Sequence, residues 1–226
     1  MDKTWNCFYE KMDHELDGCL IDLNEHGYRV DQKKGFSDGL SKYCFDLIRE
    51  NRYQVKSCDY FYKRPNRNYF CLEFTHLDLQ HTNKVPVDSL IKTLKKDAKK
   101  TIVEHIGDNS RLIIKEVCQQ LEKLSFDKVI VEELLKKISD TDRLISLMHR
   151  NKSELFTECD PDFFIKNLPF IVIIEKPKDE GFYRVIDNVQ TQIKVQTGSI
   201  GLIHIDSSSF RIIPIQDFIT SCEPVA

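Results

Sequence analysis

The sequence predicts an α/β domain built on a mixed central sheet, with a helical insertion at approximately 105–165. Three observations carry that expectation. Residues 54–63 and 68–75 are aromatic-rich, strand-like runs joined by Arg64-Pro65-Asn66-Arg67, a turn-forming sequence, which predicts an antiparallel hairpin. Phe170-Ile171-Val172-Ile173-Ile174 is an unbroken apolar run inside 168–176, as expected of a strand covered on both faces. Between these two features, from 110 to 150, the apolar spacing is helical throughout.

Each element follows from local pattern. Trp5, Phe8, Met12, Leu16, Cys19, Leu20 and Leu23 recur at spacings of three and four. That predicts an amphipathic helix over 5–23, ended by Glu25-His26-Gly27. Tyr28-Arg29-Val30 begins an extended segment, 35–39 reads as a loop, and 41–50 as a short helix carrying Tyr43, Phe45, Leu47 and Ile48. After the hairpin, Pro86, Asp88 and Ser89 mark a helix start with Asp88 as N-cap. Leu90, Leu94, Ala98 and Ile102 give that helix its apolar stripe. Helical segments follow at 112–124, 129–138 and 143–148, with Asp127 and Asp140 as caps between them. For 182–195 the pattern is ambiguous, and Tyr183, Ile186, Val189 and Ile193 favour a helix. The segments 200–205 and 210–213 form a closing hairpin around Asp206-Ser207-Ser208-Ser209. One sheet should therefore contain 54–63, 68–75 and 170–176.

Bulk composition narrows the function class. The chain has 226 residues, 41% hydrophobic and 31% charged, which suits one domain, 1–226, able to bury a core without staples. No apolar run approaches the roughly 20 residues of a membrane-spanning helix, and the N-terminus has neither a signal peptide's apolar stretch nor a transit peptide's basic bias. A cytoplasmic protein is expected, with no membrane partner. The eight cysteines include no CxxC pair, so they read as reduced, mostly buried thiols rather than a zinc ribbon or a disulfide framework. Net charge is −3, so nucleic-acid contact would have to come from a local face. Lys92, Lys95, Lys96 and Lys99 supply the best candidate, either as a phosphate track or as a solvated helix face.

The segment with chemical content is Cys58-Asp59-Tyr60-Phe61-Tyr62 with Tyr69-Phe70-Cys71-Leu72-Glu73-Phe74-Thr75-His76-Leu77-Asp78. On the hairpin, Asp59 and Glu73 reach the same end and face of the sheet. Glu73 sits in an apolar strand, where a lone acid is costly to bury. Two neighbouring carboxylates backed by carbonyl oxygens suit Mg²⁺ or Mn²⁺, which favour oxygen ligands and keep several waters. The alternative is a pair of strand-end acids bonded to Arg64, Arg67 or a lysine.

These residues resemble the core of the PD-(D/E)xK (restriction-endonuclease-like) nuclease superfamily, in which an acidic strand precedes a strand reading apolar–apolar–Glu–x–Lys, a helix and a further strand. The resemblance implies a metal-dependent nuclease acting on DNA or RNA, of the kind found in bacterial defence and mobile-element systems. It implies Asp59 and Glu73 as metal ligands, Glu10 or Glu15 as an accessory acid, and Thr75-His76-Leu77-Asp78 as the turn that follows. It also places Thr75 where the family has its lysine, so Lys84, His76 or His81 would have to replace it. If none does, the resemblance implies a degenerate nuclease fold serving as a nucleic-acid- or protein-binding subunit.

Overall fold

A computed structural model of the chain describes residues 4–14, 16, 19–31, 39–48, 55–64, 68–156 and 159–222. Six strands of these residues form one sheet in the order β1-β2-β3-β4-β5-β6. Strands β1 (Tyr9–Lys11), β2 (His26–Arg29), β3 (Tyr60–Lys63) and β4 (Tyr69–Phe74) run as an antiparallel meander. Strands β5 (Leu168–Ile174) and β6 (Ile205–Pro214) then add in parallel to β4 and to each other. The sheet is mixed, and the strands at 60–63, 69–74 and 168–174, shorter than or shifted from the expected 54–63, 68–75 and 170–176, are neighbours in it.

Helices supply the connections. α1 (Leu40–Leu47) lies between β2 and β3. A block of helices separates β4 from β5: α2 (Leu77–Ile106), α3 (Arg111–Glu122), α4 (Phe126–Arg150) and the single turn α5 (Lys152–Leu155). α6 (Glu180–Ile200) crosses from β5 to β6, and α7 (Ile215–Cys222) follows β6.

The strands' two-residue alternation divides the core. Phe61, Cys71, Phe170, Val172 and Phe210 face α4 and α6, while Tyr60, Leu72, Ile171 and Ile173 face α7 and the N-terminal segment. Helix α4 lies on the first face because Phe126, Ile130, Leu134, Ile138, Thr141 and Ile145 recur every three or four residues, and all are buried. Each such apolar side chain contributes about 1.5–3 kcal/mol on burial. Asp142, next in the helix, accepts hydrogen bonds from the backbone N–H groups of Ile203 (3.1 Å), His204 (2.7 Å) and Ile205 (3.0 Å), which fixes the entry to β6. Asp142→Ala would orphan three N–H donors at once. We expect a loss of about 3 kcal/mol in urea unfolding with the fold retained.

Several local expectations are corrected. The first segment is a 3₁₀ turn (Trp5–Phe8), strand β1 and a loop, not a helix. Five of its seven apolar residues are buried, but on both sides of the sheet: Trp5 and Phe8 on the α4 face, Met12, Leu16 and Leu23 on the other; Cys19 is half-buried and Leu20 fully exposed. A chain crossing the sheet edge mimics helical spacing. Consequently His26 and Gly27 belong to β2, not to a helix end. α2 begins at Leu77, well before Pro86, and Asp88 caps α4 instead, accepting from the N–H of Phe126 at 3.1 Å. The helical block thus starts before residue 105. Segments 129–138 and 143–148 are one helix, so Asp140 lies within α4 and Asp127 in its first turn. The closing hairpin is a single strand, β6. Gly201, in the left-handed conformation (φ 72°), stops α6, and Asp206 bonds Ser208 and Ser209 locally where the ladder shifts register, making a bulge rather than a turn. Most of the 35–39 loop lies outside the described residues.

Candidate active site

The β3–β4 ladder pairs Tyr60 with Leu72, and one step further Asp59 lies opposite Glu73. The N–H of Asp59 donates to the carbonyl of Leu72 at 2.9 Å, and Asp59 Oδ2 accepts from the N–H of Phe74 at 2.7 Å. Alternation puts both acids on the face toward α4. That helix in turn holds the segment leading to Asp59. Asp140 Oδ2 accepts from the N–H of Lys56 at 2.8 Å, and Thr141 Oγ1 accepts from the N–H of Cys58 at 2.9 Å.

One turn before Thr141, Lys137 reaches down from α4 and ion-pairs with Glu73 Oε1. Glu73 is 1% exposed, and its second oxygen, Oε2, is buried with no hydrogen-bond partner. Burial and the Asp59 carboxylate push the Glu73 carboxyl well above the ordinary range, against the opposite pull of Lys137. For Lys137, burial favours losing its proton, but the charges of Glu73 and Asp59 outweigh it and hold the ammonium protonated. The Asp59 carboxylate and, more weakly, Asp31 set negative charge beside Glu73. The thiols of Cys58 and Cys71, both buried and free, lie alongside, and burial pushes the Cys58 thiol far up, which disfavours its thiolate.

This charge state has a measurable consequence. Folded protein keeps a proton on Glu73 over a pH window where the unfolded chain has released it. Stability therefore falls as pH rises above the ordinary glutamate value of 4.5. The raised Lys137 acts in the same direction, its contribution being lost as pH rises past the ordinary lysine range. Urea unfolding across pH should show this fall in the wild type, and Glu73→Gln should remove the acidic part of it.

The donor set fits a hard divalent cation. Mg²⁺ is ordinarily held by one or two carboxylates with waters completing the shell, and the partnerless Oε2 of Glu73 beside the Asp59 carboxylate gives such an ion a place. Among the described residues no group of three or more His, Cys, Asp or Glu could hold a metal ion, so the candidate donors are the carboxylates of Asp59 and Glu73 alone.

The remaining sequence candidates fall elsewhere. Thr75 extends the β4 ladder, its N–H donating to the carbonyl of Ile173 at 3.0 Å. His76 caps α2 and Asp78 lies in its first turn. His81 is not on a turn but within α2, with its ring between Phe126 and Phe182. The side chain of Lys84, and Glu15 and Arg67, lie outside the described residues. Glu10 sits on β1, not on a helix, and pairs with Arg29 at 2.6 Å. Arg64 lies over the Phe70 ring rather than on an acid.

Lys92, Lys96 and Lys99 are exposed on α2, but Lys95 is partly buried and pairs with Glu122 of α3 at 2.8 Å. These lysines lie 15 to 22 residues past the start of α2, roughly 22–33 Å along its axis. They do not converge with Asp59 and Glu73. They belong to a two-helix arm in which α3 buries no residue completely.

Sequence reasoning missed Lys137, whose only local sign is its position beside the apolar stripe of α4. No helix among the described residues is long and apolar enough to cross a membrane. No protein-family model, no curated protein and no solved structure matches this chain.

Proposed function

We propose that this chain is a metal-dependent phosphodiesterase acting on DNA or RNA, built on a restriction-endonuclease-like sheet. The observation that carries the reading is the buried, partnerless Oε2 of Glu73 beside the Asp59 carboxylate. The antiparallel β3–β4 pair followed by helices and the parallel β5 supports the fold type. Asp59 and Glu73 would hold Mg²⁺ or Mn²⁺, which activates water and offsets charge on the scissile phosphate. Lys137 takes the part that the family gives to the lysine two residues after the glutamate. Its ammonium, kept protonated by the two carboxylates, donates to a phosphate oxygen or orients the attacking water. Thr75 is then no sign of lost catalysis, because the positive charge arrives from α4. Exposed Lys92, Lys96 and Lys99 on the arm would hold the nucleic-acid backbone away from the chemistry.

A second reading, a degenerate nuclease fold acting as a nucleic-acid- or protein-binding subunit, is favoured by the near-complete burial of Glu73. A metal-titrated cleavage assay on DNA and RNA separates the two. Metal-dependent cleavage supports the enzyme, and binding without cleavage by any preparation supports the subunit.

A further inference from the structure

On the sheet face away from Glu73, a cavity of about 470 Å³ lies between β4, β5, β6 and α7. Its floor is apolar and comes from three neighbouring strands: Phe70, Ile171 and Ile213. Arg64 lies across the Phe70 ring, 4.7 Å from guanidinium carbon to ring centre, and donates from Nη2 to Ser221 Oγ at 2.9 Å. Those two contacts fix the plane of the guanidinium, yet its Nε is buried without an acceptor. A buried N–H left without a partner is costly, and a ligand oxygen would satisfy it. Arg211, on β6 opposite Ile171, lines the same cavity and makes no ion pair or hydrogen bond among the described residues. Two guanidiniums with unspent donors call for an anion of several oxygens, since planar guanidinium forks match phosphate.

A bare phosphate does not account for the rest of the cavity. Its floor offers the apolar side chains of Ile171 and Ile213 to the face of a ring, and the exposed carboxylate of Asp217 would repel a free anion but accept a hydrogen bond from a hydroxyl or an amino group. The volume lies in the ordinary range for small-molecule sites. We propose that this cavity binds a nucleotide. Its phosphomonoester lies between Arg64 and Arg211, its ring over Ile171 and Ile213, and a ribose hydroxyl or base amine at Asp217. The ligand is either a free mononucleotide or the 5′-phosphorylated end of a nucleic acid, which share this chemistry. The site faces away from the carboxylates and does not depend on their being catalytic.

The test is calorimetric titration of the full chain in EDTA with 5′-AMP, 5′-GMP, adenosine, inorganic phosphate, and a short oligonucleotide with and without a 5′-phosphate. A 5′-mononucleotide, the 5′-phosphorylated oligonucleotide, or both should bind. Adenosine, inorganic phosphate and the 5′-hydroxyl oligonucleotide should each bind roughly tenfold or more weakly. Binding of the mononucleotide alone identifies a free nucleotide, and binding of the phosphorylated oligonucleotide alone identifies a strand end. Arg211→Gln, at an exposed position, should weaken whichever binds by roughly tenfold. Asp217→Asn should act on nucleotide but not on inorganic phosphate. No binding at millimolar concentration, equal binding of inorganic phosphate, unchanged affinity in Arg211→Gln, or binding that needs added divalent metal would each overturn the assignment.

Discussion

Glu73→Gln is expected to abolish divalent-metal-dependent cleavage of DNA or RNA, a fall of ~1000-fold or more, while leaving the fold intact. Glutamine keeps the shape of the side chain and removes the charge that a metal needs. It should also cost little stability. A neutral side chain at 73 removes the repulsion from the Asp59 carboxylate, and that carboxylate still holds the Lys137 ammonium. In the wild type, metal and proton compete for the same carboxylate, so cleavage at fixed, limiting Mg²⁺ or Mn²⁺ should rise with pH. The measurement is a metal-titrated assay on several substrates, with wild type and variant purified in parallel. Cleavage that survives in Glu73→Gln would come from another site or from a contaminant, and would remove Glu73 from the mechanism.

Lys137→Met is expected to damage both stability and activity, and so to differ from Glu73→Gln. Methionine preserves the buried stem but takes away the ammonium that pairs with Glu73 beside Asp59. Breaking a buried ion pair from one side costs roughly 3–5 kcal/mol, softened here as far as Glu73 takes up a proton. Urea unfolding at neutral pH should show most of that loss, and the double variant Glu73→Gln/Lys137→Met should recover part of it. For activity, the informative partner is Thr75. It lies two residues past Glu73 on the same ladder, so a lysine there would project toward the same face. Thr75→Lys should change little in the wild type, where Lys137 already supplies the charge, but should restore part of the cleavage lost in Lys137→Met. A Lys137→Met protein that stays folded and cleaves at the wild-type rate would reduce Lys137 to a structural counterion.

The contrast between Asp59–Glu73 and Lys137 shows what local pattern can reveal. Asp59 and Glu73 lie at the facing ends of neighbouring strands close together in sequence, so alternation alone placed them on one face. Lys137 lies 64 residues from Glu73 in sequence. The apolar stripe of α4 predicts a helix, but not against which strand, or over which residue, that helix settles. β5 was legible because five consecutive apolar residues have few other uses. The N-terminal segment was not, because crossing from one face of a sheet to the other also buries residues at spacings of three and four. The strand β6 was misread as a hairpin because Asp206 with its serines has turn chemistry, and here that chemistry makes a bulge.

That N-terminal crossing gives the molecule a built-in optical reporter. Trp5 is the only tryptophan in the chain. It is 1% exposed and packs against Tyr28 of β2 and against Phe156 and Phe163 from the segment that leads into β5. Its fluorescence therefore senses the junction where the chain's beginning meets a stretch some 150 residues later, while far-ultraviolet circular dichroism is dominated by the long helices. Followed together through denaturation, the two signals separate the undocking of the N-terminal segment from the melting of the helices.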